Sequence, residues 1–280
     1  MTVPASYRPA TRWSSAVRVF DLSLGQMLWS RRSVFMGIIV GSPVLLAVLI
    51  RVLLAAPSAQ LRAGGAGLDG PSLFGILTWL LYVRFAVPAV GVFYGTALIA
   101  DEVEDRTITY LFTRPIRRSA VLFGKYLAYL TCTLLLVLPA TVVVYFVTIP
   151  LGGAGIARGF PVLLADLGAL AAGVATYGAV FAFVGTWMRR PLVSGLVFAF
   201  GWEPAVLLLP GYLKRLTVAY YLQALVPHAI PYESPASILM RRSTDAPGVL
   251  ASLVSLAAIA GVTLWLAGRT VERREYVLEQ

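Results

Sequence analysis

The sequence predicts an all-α, polytopic membrane protein. It has six transmembrane helices, an N-terminal interfacial amphipathic helix and a broken or re-entrant segment on the outer side. Three observations predict it. Hydrophobic residues make up 59% of the 280-residue chain and charged residues 13%, against roughly 25% charged residues in a soluble domain. Six apolar runs reach or approach the ~20 residues that cross a bilayer as a helix. Most of the 23 lysines and arginines stand at the ends of those runs, where the positive-inside rule puts them. The net charge of +10 therefore reads as membrane topology, and no nucleic-acid partner is expected.

Residues 12–31 place Trp13, Val17, Phe20, Leu24, Met27 and Leu28 at three- and four-residue steps, opposite Ser14, Arg18, Asp21 and Gly25. That spacing predicts an amphipathic helix lying in the membrane interface. Arg31-Arg32 separates it from the first span. The pair reads as the inner anchor of a retained span, because no convincing A-x-A site follows to make it an export signal. Spans are predicted at 34–56, 74–100, 121–149, 161–188, 192–210 and 247–268. Residues 57–72 and the Gly152-Gly153 turn read as outer loops, and Arg189-Arg190-Pro191 as a minimal cytosolic turn. The segment 211–246 is apolar and aromatic but interrupted by Pro227, Pro231 and Pro235. It predicts re-entrant or interfacial helices, with an ordinary outer loop as the alternative. The distribution of Lys and Arg, with an even number of spans, puts both termini in the cytosol. Residues 1–280 form one membrane domain with no internal repeat.

Between the second and third spans the polar residues crowd together. Asp101, Glu102, Glu104 and Asp105 are followed by Arg106-Thr107, a short amphipathic run through Leu111 to Phe112, Thr113-Arg114-Pro115, and Arg117-Arg118. Pro115 cannot continue a helix, so the chain must bend there. Arg114, Arg117 and Arg118 can pin that bend on anionic headgroups or on the acids of a partner. Residues 101–118 thus predict a compact cytosolic element held to two spans at once. It is either a docking surface or a loop anchored to lipid alone.

The chain offers little for catalysis. His228 is the single histidine, and neither G-x-S-x-G nor H-E-x-x-H occurs. Gly124-Lys125 lacks the earlier glycine and the following Ser/Thr of a P-loop, so no nucleotide site is expected in this chain. The acids at 101–105 have no calcium-loop glycine, and Cys132 sits inside an apolar run. No catalytic, cofactor-binding or metal-ligating residue is expected. Arg84 and Glu203 do fall inside spans, where each costs about 2.5–3.5 kcal/mol at a bilayer centre on insertion scales. Each should face protein or water. They either meet across the bundle, or Glu203 lines a cavity beside the broken segment.

Residues 94–129 resemble the permease subunits of type-2 ABC exporters, whose pattern runs roughly E-x-E-x-G-T-x-x-x-L-L-T-x-P-x-x-R-x-x-x-x-x-G-K. Glu102, Glu104, Thr107, Leu111, Thr113, Pro115, Arg118, Gly124 and Lys125 occupy those positions, with Arg106 where many members carry Gly. Trp202-Glu203 followed by Leu209-Pro210-Gly211 is similar to the branch related to copper-enzyme-maturation permeases. The resemblance implies a transport subunit without enzymatic activity, in the inner (cytoplasmic) membrane of a prokaryotic cell. It implies a second permease copy, the same or similar, and a cytosolic ABC ATPase subunit that binds ATP-Mg. It further implies that Asp101, Glu102, Glu104, Thr107, Leu111, Arg114, Pro115 and Arg118 couple the two. An ATPase-independent membrane assembly or scaffold protein is the alternative. An intramembrane enzyme would have only Arg84, Glu203 and Asp166 to work with.

Overall fold

The computed structural model describes residues 20, 23–25, 27, 31–54, 69–98, 118–151, 155–208, 212–226 and 247–273. Helix is the only regular structure among them. Five helices are long and apolar enough to cross a membrane. They are α1 (Arg31–Leu53), α2 (Gly70–Gly95), α3 (Arg118–Thr148), α4 (Phe160–Trp187) and α7 (Val249–Arg273). The fifth predicted span, 192–210, is a shorter helix, α5 (Pro191–Leu207). After a 3-10 turn at Tyr212–Leu216, α6 (Val218–Leu225) supplies helix within the predicted broken segment. Residues 227–246 lie outside the described residues, as does most of the predicted interfacial helix, of which 20, 23–25 and 27 are helical.

Local chemistry explains how these helices tolerate their prolines. Pro43 inside α1 has no N–H to give the Ile39 carbonyl, and the Ser42 hydroxyl donates to that same carbonyl at 2.8 Å. The freed backbone group is thereby satisfied without water. In α2 a π-helical stretch, Leu77–Ala86, runs up to Val87-Pro88, and the Val87 N–H reaches back to the Tyr82 carbonyl. In α5 another, Val197–Trp202, runs up to Glu203-Pro204, and the Glu203 N–H reaches back to Phe198. A widened turn before each proline relieves the clash of its ring with the preceding turn. The two stretches touch through Phe85 and Phe200, whose ring centroids are 5.8 Å apart.

Antiparallel packing gives the bundle two distinct ends. At one end, Arg51 donates to the Val147 carbonyl (2.6 Å), and the Gly70 N–H to Leu151 (3.1 Å). Asp69 there accepts from the Ser72 N–H, capping α2, and the Tyr145 hydroxyl donates to the Ile156 carbonyl. Phe74 packs edge-on against Tyr145. This is the loop end. At the other end, Tyr94 donates to the Ser33 hydroxyl (3.0 Å) and Ser119 to Glu272 (2.7 Å). Arg189, Arg190, Arg269 and Arg273 lie there, and α1 and α3 begin there at Arg31 and Arg118, which makes it the basic end.

The centre of the bundle is α4. Its glycines let neighbours approach the backbone: a Cβ at Gly178 would stand 2.0 Å from the Tyr129 ring, and one at Gly185 would stand 2.5 Å from the Thr96 carbonyl oxygen. Small residues at such contacts are the usual way membrane helices associate, because lipid supplies no hydrophobic drive between them. The outer faces of α1, α5 and α7 are apolar and exposed, with Leu45, Val197 and Leu253 among the residues presented.

Candidate functional site

The predicted element 101–118 lies outside the described residues, except that Arg118 opens α3. The structure therefore places Asp101, Glu102, Glu104, Thr107, Leu111, Arg114 and Pro115 nowhere. It does describe both flanks. On one side Leu98 is buried and the Thr96 carbonyl meets Gly185 of α4. On the other, Ser119 is bonded to Glu272 of α7, and Lys125 of the motif is buried one to two turns into α3. Both flanks, as far as they are described, are packed against the bundle.

The two charges singled out within spans, Arg84 and Glu203, are both among the described residues, and Asp166 of α4 is also fully buried. Glu203 is 2% exposed. Its Oε2 accepts the phenol proton of Tyr177, and its Oε1 accepts the Val218 N–H at 2.9 Å. Val218 is the first residue of α6, and Thr217 before it offers no side-chain cap. One of the N–H groups that a helix start leaves orphaned is thus satisfied by a carboxylate from another helix, which also complements the helix dipole. The Arg84 guanidinium lies over the Trp79 ring at 5.9 Å. Its charge acts on both Tyr177 and Glu203 from beyond hydrogen-bond contact.

The level of this cluster follows from helix rise. Tyr177 stands about 10 residues, or ~15 Å, from Trp187 at the basic end, and Arg84 about 11 residues from Gly95. Both fall near the middle of a ~30 Å hydrocarbon core. Leu222 of α6 reaches the Gly173 position, 3.1 Å from a Cβ built there. From Val218 to Leu222 the chain therefore moves from the level of Tyr177 toward the loop end. The described part of the segment after α5 thus dips to the level of Tyr177 at Val218, and α6 rises from there toward the loop end.

Sequence reasoning singled out Arg84 and Glu203 but missed Tyr177 and the Val218 amide. A tyrosine inside the apolar run of α4 carries no local signal, because the same residue fills plain core sites at Tyr82 and Tyr129. The prolines are a signal: Pro88 and Pro204 each follow within a few residues of the intramembrane charge. For chemistry the site offers one carboxylate, one phenol and one guanidinium. Among the described residues no three His, Cys, Asp or Glu side chains group to hold a metal.

Long apolar helices, a carboxylate bonded inside the bundle and a dense polar sequence between the second and third helices define a multi-pass membrane subunit. The profile of the ABC-2 family transporter proteins matches residues 13–266, and the chain belongs to that family. It is thereby a permease-type membrane component of an ABC transporter, whose family works with an ATP-binding subunit. No curated protein matches the chain.

Proposed function

We propose that this chain is the membrane-spanning half of an ATP-driven exporter, moving its substrate with ATP hydrolysed by a separate subunit. Two such halves pair, as copies or as similar chains, and the substrate path lies between them. Both termini and residues 101–118 face the cytosol of a prokaryotic cell. The partner ATPase binds ATP-Mg and docks on Asp101, Glu102, Glu104, Thr107 and Leu111, with the bend at Arg114-Pro115 and Arg118 holding the element in place.

One observation carries this reading. The element joins two helices whose described ends are packed into the bundle, through Thr96 against Gly185 and Ser119 against Glu272. A push on the element cannot be taken up by slack in its flanks, so it passes into the spans. The tie to the copper-maturation branch rests on Trp202-Glu203 and Leu209-Pro210-Gly211. Glu203 in that motif is the residue that holds α6, so the motif marks an architectural joint more directly than a cargo.

The test is co-expression with a cognate ABC ATPase, followed by purification of the complex in lipid nanodiscs. Docking at this site predicts an intact, ATP-hydrolysing complex with the wild-type chain. Replacing Glu102 and Glu104 by Lys should dissociate it. A complex indifferent to both charge reversals rules out docking there, and a chain that never binds an ATPase favours the scaffold alternative.

A further inference from the structure

The chain leaves the 101–118 element directly into α3, and the first side chain described there is tied to the far end of the sequence. The Ser119 hydroxyl donates to Oε1 of Glu272, in the last turn of α7, at 2.7 Å. One turn further along α3, Leu122 is fully buried with Ala267 and Val271 of α7, and Phe183 of α4 packs on them. This is a small apolar cluster, separate from the main core, with a hydrogen bond on its exposed rim. The two helices run close beside Gly268: a Cβ built there would stand 3.8 Å from the Ser119 Cβ, ordinary van der Waals contact.

From this joint α7 runs as one α-helix of 25 residues, about 37 Å long. It contains no proline and no π-helical stretch, the usual causes of a kink. It packs along α4 and against α6, with Ser252 and Leu256 buried. The same helix therefore touches the exit of the element at one end of its reach and the dipping segment at the other.

We propose that Ser119 and Glu272 are positioning residues of the transport cycle. Together with Leu122, Ala267 and Val271 they make the start of α3 and the end of α7 move as one body. Displacement of the 101–118 element then reaches α6 through α7, without passing through α2 or α5. The transmission rests on the docking reading given above, whereas the joint itself is a property of this chain alone.

The experiment has two arms. Ser119→Cys with Gly268→Cys places two thiols at a Cβ separation typical of disulfides, ~3.8 Å, and native Cys132 is buried and out of competition. In the isolated full-length chain in nanodiscs, mild oxidation should close this bond quickly and fully. Slow or absent closure overturns the joint. In the second arm, amide exchange of residues 218–225 is followed in the complex with the ABC ATPase, with and without ATP plus vanadate. The cross-linked complex should keep the ATP-dependent change in full, because the bond joins parts that move together. Ser119→Ala with Glu272→Ala should shrink that change at least two-fold while the ATPase stays bound and active. Glu272→Gln, which keeps an acceptor for Ser119, should restore it. Arrest by the cross-link, or a full response in the double alanine variant, overturns the proposal. An ATPase that never binds the wild-type chain overturns docking and transmission together, and the disulfide arm still reports the joint.

Discussion

The loop end of α1–α4 and the α5–α6 hairpin solve the same problem in opposite ways. Both must satisfy backbone groups where water is scarce. The loop end does so with several bonds in parallel: Arg51 to Val147, Gly70 to Leu151, Asp69 to Ser72, and Tyr145 to Ile156, backed by the Phe74–Tyr145 contact. In the hairpin one carboxylate, Glu203, takes the Tyr177 phenol and the Val218 N–H at once. Parallel bonds share a load, so losing one changes little. A shared acceptor concentrates it, so one substitution removes both bonds together.

The contrast can be broken at its foundation through α4, which carries both regions. Gly178→Leu would drive a side chain into the Tyr129 ring, already 2.0 Å from a bare Cβ. Overpacking typically costs about 1–3 kcal/mol and here should exceed that, since the ring is fixed by its bond to Val174. The expected outcome is loss of the monodisperse peak in size-exclusion chromatography of the detergent-solubilised chain.

Glu203→Leu comes next. It leaves the Tyr177 hydroxyl and the Val218 N–H buried without their acceptor, at about 1–3 kcal/mol each. Amide exchange should accelerate by ten-fold or more across 218–225 and stay unchanged at 70–76. Equal acceleration in both places would show that the hairpin is not a separate unit. Tyr177→Phe removes one donor and leaves the Val218 bond, so the expected acceleration is several-fold smaller. The charge-swapped pair Arg84→Glu with Glu203→Arg should not repair the hairpin, because its bonds come from Tyr177 and Val218 rather than from Arg84.

Arg51→Ala should matter least. Its bond is exposed and one of several at that rim, so a shift below about 1 kcal/mol is expected, read as a small change in thermal melting. A large drop would mean that the loop end depends on a single contact.

Much of this fold was legible because the bilayer imposes a crude rule, that long apolar runs become helices. Five of the six predicted spans emerge as long helices, with ends displaced by a few residues. The displacements have causes. α2 starts at Gly70 rather than 74, because Asp69 caps it and Pro71 suits its first turn. α7 continues to Arg273, past 268, because hydropathy marks where lipid ends rather than where a helix does. The candidate site was less legible. Arg84 and Glu203 stood out because charge is costly in a span, whereas Tyr177 looks like any core aromatic. The joint between Ser119 and Glu272 is separated by 153 residues, and no local pattern announces such a pairing.

The shortness of α5 has a consequence for the lipid itself. Its 17 residues span only about 26 Å, a few ångströms less than the average hydrocarbon thickness of ~30 Å. The exposed Leu192, Val193, Val197 and Phe200 of α5 are followed by the exposed Tyr212, Leu213 and Leu216 of the 3-10 turn, so the apolar belt on this side is shared between two short elements. Along α1 and α7 a single long helix supplies it. Acyl-chain length in a reconstituted bilayer becomes a control variable in its own right, with its largest expected effect where the belt is divided.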